Sequence, residues 1–299
     1  MAQDTQIPSQ SYDIPTPASF RRRTIRFLRR QPVMAVCSVF IVVVALLAAL
    51  APILPLHPET GIDIDAINEA PSFDHPMGTD YRGRDQFAGI IFGGRVSLMV
   101  GFFGVLLGVG LGTVWGLLSG FLGGAFDTVS QRVVEVILSI PGLLLAFVLA
   151  AAMGPGVFTI ILAISIRNIG SSARVIRGVT LSTKGADYVM AARSVGAPWY
   201  RVVARHVAPS CIAPFLVLFS AQIGLGIVIE ASLSFLGVGV PPSVPSWGAL
   251  VSAPLETDTT PSWWLVVGPG AMISLVVLCF NIIGDGLRDE LDPRLRGVR

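Results

Sequence analysis

Side chains able to make or break bonds are sparse in this chain and poorly spaced for the task. Hydrolysis by a protein nucleophile needs that group set beside an activating base, yet the sequence holds neither G-x-S-x-G nor H-E-x-x-H. All three histidines fall outside the apolar runs, and His75 and His206 stand alone without the spacing of metal ligands. Cys37, Cys211 and Cys279 lie inside apolar segments and are odd in number, so they read as small buried hydrophobes rather than a disulfide framework. Lys184, the single lysine, is followed by glycine, so the chain contains no G-x-x-x-x-G-K-[ST] phosphate loop. Two features remain. One is a pair of charges in apolar surroundings, Arg167 and Glu230; the other is a single polar interruption, KGADYVMAARSVGAPWYRVVARHVAP, at residues 184–209.

The elements that must position these features are membrane spans. The chain is 53% hydrophobic and 13% charged, with mean hydropathy +0.72, against about 25% charged for a soluble globular protein. Six apolar runs are long enough to cross a bilayer: Val33 to Leu54, and about Val96–Leu122, Val133–Met153, Val157–Ile176, Cys211–Phe235 and Trp263–Ile283. The second carries Gly104, Gly108, Gly112, Gly116 and Gly120 at a strict i+4 period, a stripe suited to backbone-close helix packing. Pro141 is expected to kink the third in mid-membrane, and Trp247, Trp263 and Trp264 suit the interface with water. The basic cluster Arg21–Arg30 puts the N-terminus in the cytoplasm by the positive-inside tendency. Six spans then place 17 of the 21 basic residues inside, three outside, and Arg167 within a span. The expected organisation is a cytoplasmic tail (1–30), a first helix (31–54), an external acidic loop (55–94), a transmembrane core (95–284) containing the cytoplasmic loop 184–209, and a second cytoplasmic tail (285–299).

Within that loop, Ala186–Val195 reads as a short amphipathic helix, because Tyr188, Ala191, Ala192 and Val195 recur at i, i+3, i+4 and i+7. Gly196 suits a left-handed helix end, and Pro198 cannot continue the same helix. A second short helix, Trp199–Val207, is expected to stop before Pro209. The result is a rigid knob on a membrane face. Small residues at Ala191 and Ala192 let a partner approach, with Arg193, Arg201 and Arg205 supplying charge around the contact; an amphipathic helix lying on lipid headgroups is the alternative.

A-A-x-x-x-G at Ala191–Gly196, followed by H-V-A-P at His206–Pro209, resembles the EAA loop of ABC importer permeases. Three further stretches are similar to the C-type permease subunit of dipeptide, oligopeptide and nickel importers: HPMGTDYRGRD before GGRVSLMVG, EASLSFLGVGVPPSVPSWG, and NIIGDGLRDELDPRLRG. The likeness runs from about residue 20 to the end. One departure is Met190, where the family carries the leading glutamate. The resemblance implies an all-α, multi-pass protein of the cytoplasmic (inner) membrane, with both termini cytoplasmic. Its last five helices would form a type I importer core, and the first would be an added N-terminal helix. Asp187, Tyr188, Ala191, Ala192, Arg193, Gly196, Ala197, Pro198 and Pro209 would then couple the chain to its ATPase. The implied partners are a B-type permease subunit, two ATP-binding cassette subunits that use ATP and Mg, an external substrate-binding protein and the bilayer. No cofactor of its own and no nucleic acid are expected.

A charge near the middle of a span is costly, about 2.5 to 3.5 kcal/mol even on the lenient insertion scale. Arg167 therefore either lines a water-filled translocation path or, should its span break at Asn168-Ile169-Gly170, snorkels toward the cytoplasm. Glu230 is either a second path residue or a structural hydrogen-bond anchor, and Arg132 with Glu135 (i, i+3) reads as a local ion pair. A polytopic membrane enzyme is disfavoured by the missing nucleophile and base. A self-sufficient secondary transporter would show inverted repeats and several intramembrane carboxylates, and neither is visible. Peptides are preferred over nickel as substrate because peptide import is the commoner use of this branch.

Overall fold

The computed structural model describes residues 31–55, 63–241, 243–257 and 262–291. The arginine cluster at 21–30 and the basic residues after 291 lie outside the described residues. Among those described the chain is helical, apart from loops and one isolated bridge between Thr79 and Asp85. We number the helices α1 (Pro32–Leu50), α2 (Gln86–Leu122), α3 (Gly124–Ser139), α4 (Gly142–Met153), α5 (Val157–Lys184), α6 (Asp187–Ser194), α7 (Trp199–Phe235), α8 (Trp247–Thr257) and α9 (Trp263–Leu291). Five of them are long and apolar enough to cross a membrane, and a sixth crossing exists if α3 and α4 count as one bent span.

Helix α2 starts at Gln86 rather than at Val96, because Asp85 caps it: the Asp85 carboxylate accepts the Ala88 backbone N–H at 2.8 Å. At 1.5 Å per residue its 37 residues span about 55 Å, well beyond a hydrocarbon core of about 30 Å. The glycine stripe of α2 lies along α5. A Cβ built on Gly104 would meet Ile164 at 2.9 Å, on Gly108 would meet Asn168 at 2.5 Å, on Gly112 the Ile169 carbonyl oxygen at 2.6 Å, and on Gly120 Thr180 at 2.9 Å. One on Gly116 would run into the Ala173 backbone. Hydrogen, and nothing larger, fits between these two backbones for five turns. Ser165 adds a polar tie at close range, its hydroxyl donating to the Gly104 carbonyl at 2.9 Å.

Three expectations are corrected. The third span is not a kinked helix but two helices, α3 and α4, bent by 86°. Pro141 forces Ile140 into an extended conformation (φ −88°, ψ 123°), which ends α3 outright. The helix beginning at Trp199 does not stop before Pro209 but runs on to Phe235. A π-turn at Val203–Val207, closed by the Ala208 N–H on the Val203 carbonyl, widens the helix ahead of the proline, so the ring is accommodated without a break. Trp247 is not at the water interface but fully buried. Its indole N–H donates to the Ile90 carbonyl at 2.8 Å, and its backbone N–H to the Ser97 hydroxyl at 3.2 Å. The loop after α7 is thereby plugged into the core beside Val100, Ile227 and Leu233. By contrast Trp263 is exposed.

The glycine contact predicts an asymmetry within one helix. Gly112→Leu forces α2 and α5 apart and is expected to lower the thermal midpoint of the detergent-solubilised protein by about 5 °C or more, as an overpacking cost of about 1–3 kcal/mol would. Gly110, whose added Cβ would meet nothing within 4 Å, serves as the control, and Gly110→Leu is expected to leave the midpoint unchanged. Equal shifts for the two would show that the stripe does not set the packing.

Candidate coupling site

The 184–209 stretch folds as a helix, a glycine turn and a second helix. Its first helix, α6, begins after Ala186, whose carbonyl accepts the backbone N–H groups of Val189 and Met190 at 2.9 and 3.1 Å. Asp187 in its first turn and Arg193 in its last both suit the helix dipole. The end is a Schellman motif: the Gly196 N–H donates to the Arg193 carbonyl at 2.9 Å, and the Ala197 N–H to the Ala192 carbonyl at 3.2 Å. Gly196 takes φ +78°, and Pro198 opens α7 directly afterwards.

Packing explains how the knob is held. Val189, Val202, Val203 and Val207 turn inward onto Phe121 at the end of α2, with Ala192 and Ala197 half-buried around them. Arg193 is exposed and also braces the knob: its guanidinium lies 4.7 Å above the Phe121 ring, and the Lys184 ammonium lies 5.6 Å from the same ring. Lys184 also donates to the Phe121 carbonyl. The outward face is apolar. Tyr188, Met190, Ala191, Trp199, Tyr200 and Val195, the last 84% exposed, form a surface that nothing among the described residues covers. Arg201, Arg205 and Pro209 are exposed as well. Apolar side chains are thus interleaved with arginines on the exposed side of the knob.

A polar lock just behind this knob was not legible from spacing. Arg177 of α5 grips Asp127 of α3 through two hydrogen bonds of 2.6 Å, from Nε to Oδ1 and from Nη2 to Oδ2. Ser119 of α2 donates to the same carboxylate, and Gln131 donates to Ser119 at 3.2 Å. The one usable signal was indirect: the glycine stripe sets α5 against the end of α2, which brings Arg177 beside the chain turn that carries Asp127. Arg132 and Glu135 do pair, at 2.7 Å, but on an exposed surface where such a bond contributes little.

The two charges within spans have different surroundings. Glu230 is fully buried, accepting from Ser97 at 2.7 Å and from Ser234 at 2.8 Å. It thus joins α2 to α7 directly beneath Trp247. Arg167 is half-buried in a helix that continues unbroken through Asn168-Ile169-Gly170 to Lys184. Its side chain lies across Gly142 at the start of α4. Among the described residues no group of three or more His, Cys, Asp and Glu side chains is placed to hold a metal ion.

A bundle of membrane-length helices, with a helix–turn–helix knob projecting from the end of its most tightly packed pair, is the architecture of a polytopic membrane protein. Residues 112–297 match the family described as binding-protein-dependent transport system inner membrane component, and the chain belongs to that family. It is thus a transport permease of the inner membrane rather than an enzyme. Among curated relatives it is similar to the glutathione transport system permease protein GsiD of Pectobacterium atrosepticum, at 39% identity over 91% of this chain and 90% of the relative. The protein of the same name from Escherichia coli is 38% identical over 91% of this chain and 89% of the relative. Among solved structures, a chain from the crystal structure of an amino acid ABC transporter with histidines matches with TM-score 0.52. That match has 18% identity and covers 69% of this chain and 95% of that one, a likeness of fold.

Gly196→Val tests whether the angle of the knob matters. A Cβ at Gly196 would meet nothing within 4 Å, so the substitution acts through backbone strain at φ +78°, about 1–3 kcal/mol. Membrane insertion is expected to be normal and ATP-driven uptake by the assembled transporter to fall about tenfold or more, a change of that energetic size. Unaltered uptake would show that the turn geometry plays no part in coupling. Met190→Glu, at a half-exposed position on the outer face, is expected to be mild in the same assay.

Proposed function

We propose that this chain forms one half of the translocation path of a di- or oligopeptide importer, as a heterodimer with a B-type permease subunit. Two ATP-binding cassette subunits sit below it and an external substrate-binding protein docks above. The observation that carries the reading is the uncovered apolar face of α6 and the start of α7, braced from behind by Phe121 and the Asp127–Arg177 pair. Asp187, Tyr188, Ala191, Ala192, Arg193, Gly196, Ala197, Pro198 and Pro209 build that knob. Some present the outer face, and others, Ala192, Ala197 and Gly196 among them, set its shape. Closure of the ATPase pair on ATP and Mg would push the knob, and the push would pass into α2 and α5. Both termini face the cytoplasm in this arrangement, on the same side as the knob, and Arg167 belongs to the path. Glu230 was a second path candidate; its complete burial and its serine donors favour the anchoring role.

A peptide substrate is supported by relatives named for glutathione, which is a tripeptide, over the alternative of nickel. Reconstitution of the permease pair with its ATPase subunits and binding protein in proteoliposomes tests the reading. Labelled dipeptide uptake is expected only with ATP and only in the full assembly, and the purified single chain is expected to hydrolyse no ATP. Hydrolysis by this chain alone, or uptake of nickel but not of peptides by the full assembly, would overturn it.

A further inference from the structure

On the side of α5 away from the glycine stripe, Arg167, Ser171, Arg174 and Gly178 recur at i, i+4, i+7 and i+11, a row that carries two arginines along the span. Arg167 lies about 15 Å along the helix from Val157, and Arg174 about 10 Å further on. Among the described residues neither guanidinium has an ion-pair or hydrogen-bond partner. Gly142 has no side chain where a Cβ would sit 2.7 Å from Arg167 Cδ. The start of α4, beside which the guanidinium lies, carries the positive end of a helix dipole, so the arginine is not there to stabilise that helix. The neighbouring Ile140–Pro141 backbone is extended and breaks the helix within an apolar segment. Irregular backbone at such a position is tolerated where it is buried in protein or lines a water-filled cavity. Ser171 and the exposed Arg174 continue the row from there toward the knob, and a Cβ on Gly178 would meet nothing within 4 Å.

We propose that Arg167, placed at the α3–α4 break, binds the free carboxylate of the transported peptide in the translocation path, and that Arg174 receives it next on the way to the knob end. The proposal rests on the peptide-importer reading and adds the group recognised inside the membrane. An unpaired guanidinium offers a planar pair of donors that matches a carboxylate, and the amide of the same peptide cannot use its charge.

The test uses the full assembly in proteoliposomes, with initial uptake measured for a dipeptide and for its C-terminal amide. Arg167→Gln is expected to reduce uptake of the free acid about tenfold, the size of one lost charged hydrogen bond, and to change that of the amide less than twofold. Arg167→Lys is expected to retain most of the acid uptake, and Arg174→Gln to give a smaller loss with the same preference. Equal losses for acid and amide would overturn carboxylate recognition and leave Arg167 as a structural partner of the other permease subunit. As a second readout, Arg167→Cys, with Cys37, Cys211 and Cys279 replaced by alanine, is expected to react with an aqueous sulfonate thiol reagent, and the free-acid dipeptide to slow that reaction. A Cys at 167 inaccessible both with and without ATP would overturn the site even if the transporter imports peptides. Wild-type uptake of neither peptide would instead overturn the peptide reading, and the thiol reaction would still decide whether the site opens to water.

Discussion

The close backbone contact between α2 and α5 is the constraint on which the other parts depend. In lipid there is no hydrophobic force driving one apolar helix onto another, so association rests on van der Waals fit and short polar ties. Five glycines in register supply the fit and the Ser165–Gly104 hydrogen bond supplies a tie. Once the two backbones are locked, the end of α2 is fixed relative to the end of α5. That in turn fixes Phe121 beneath the knob and Arg177 opposite Asp127.

Each end of this frame closes with a buried or half-buried carboxylate, and the two differ in kind. At the knob end Asp127 meets a bidentate guanidinium and a serine hydroxyl, so a charge taken from water has both partner and hydrogen bonds. At the far end Glu230 meets the serines Ser97, Ser234 and Ser246 without a cation and holds the Trp247 segment against α2. Removing one member of such an arrangement leaves the other unsatisfied, which costs more than the intact contact contributes. Both ends of the frame are therefore tied by polar contacts, and under the proposed function the aromatic face of the knob is where a push from the ATPase enters.

Periodic features of this architecture were legible in the sequence. The i+4 glycines announced a helix contact, and the charge distribution together with Gly196 and Pro198 announced a turned loop. What escaped was tertiary. Pro141 and Pro209 look alike on paper; one ends a helix and the other is absorbed, because a π-turn precedes Pro209 while Ile140 has gone extended before Pro141. Trp247 carried the ordinary mark of an interfacial residue, and only the inward fold of its loop reveals it as a core plug. The Asp127–Arg177 pair joins residues 50 positions apart and has no local signature. The contact of Arg193 with the Phe121 ring on another helix likewise has no local signature.

Under the proposed function the knob and the α2–α5 frame move as one body when ATP is bound. Spin labels at Val195 on the knob and Leu111 on α2, both exposed, report this directly in the assembled transporter, by the distance between them in the ATP-free and the ATP-trapped states. The account predicts the same distance in both states. A change of a full helical turn, about 5 Å, would show that the knob swings independently of the helices behind it and would contradict the account.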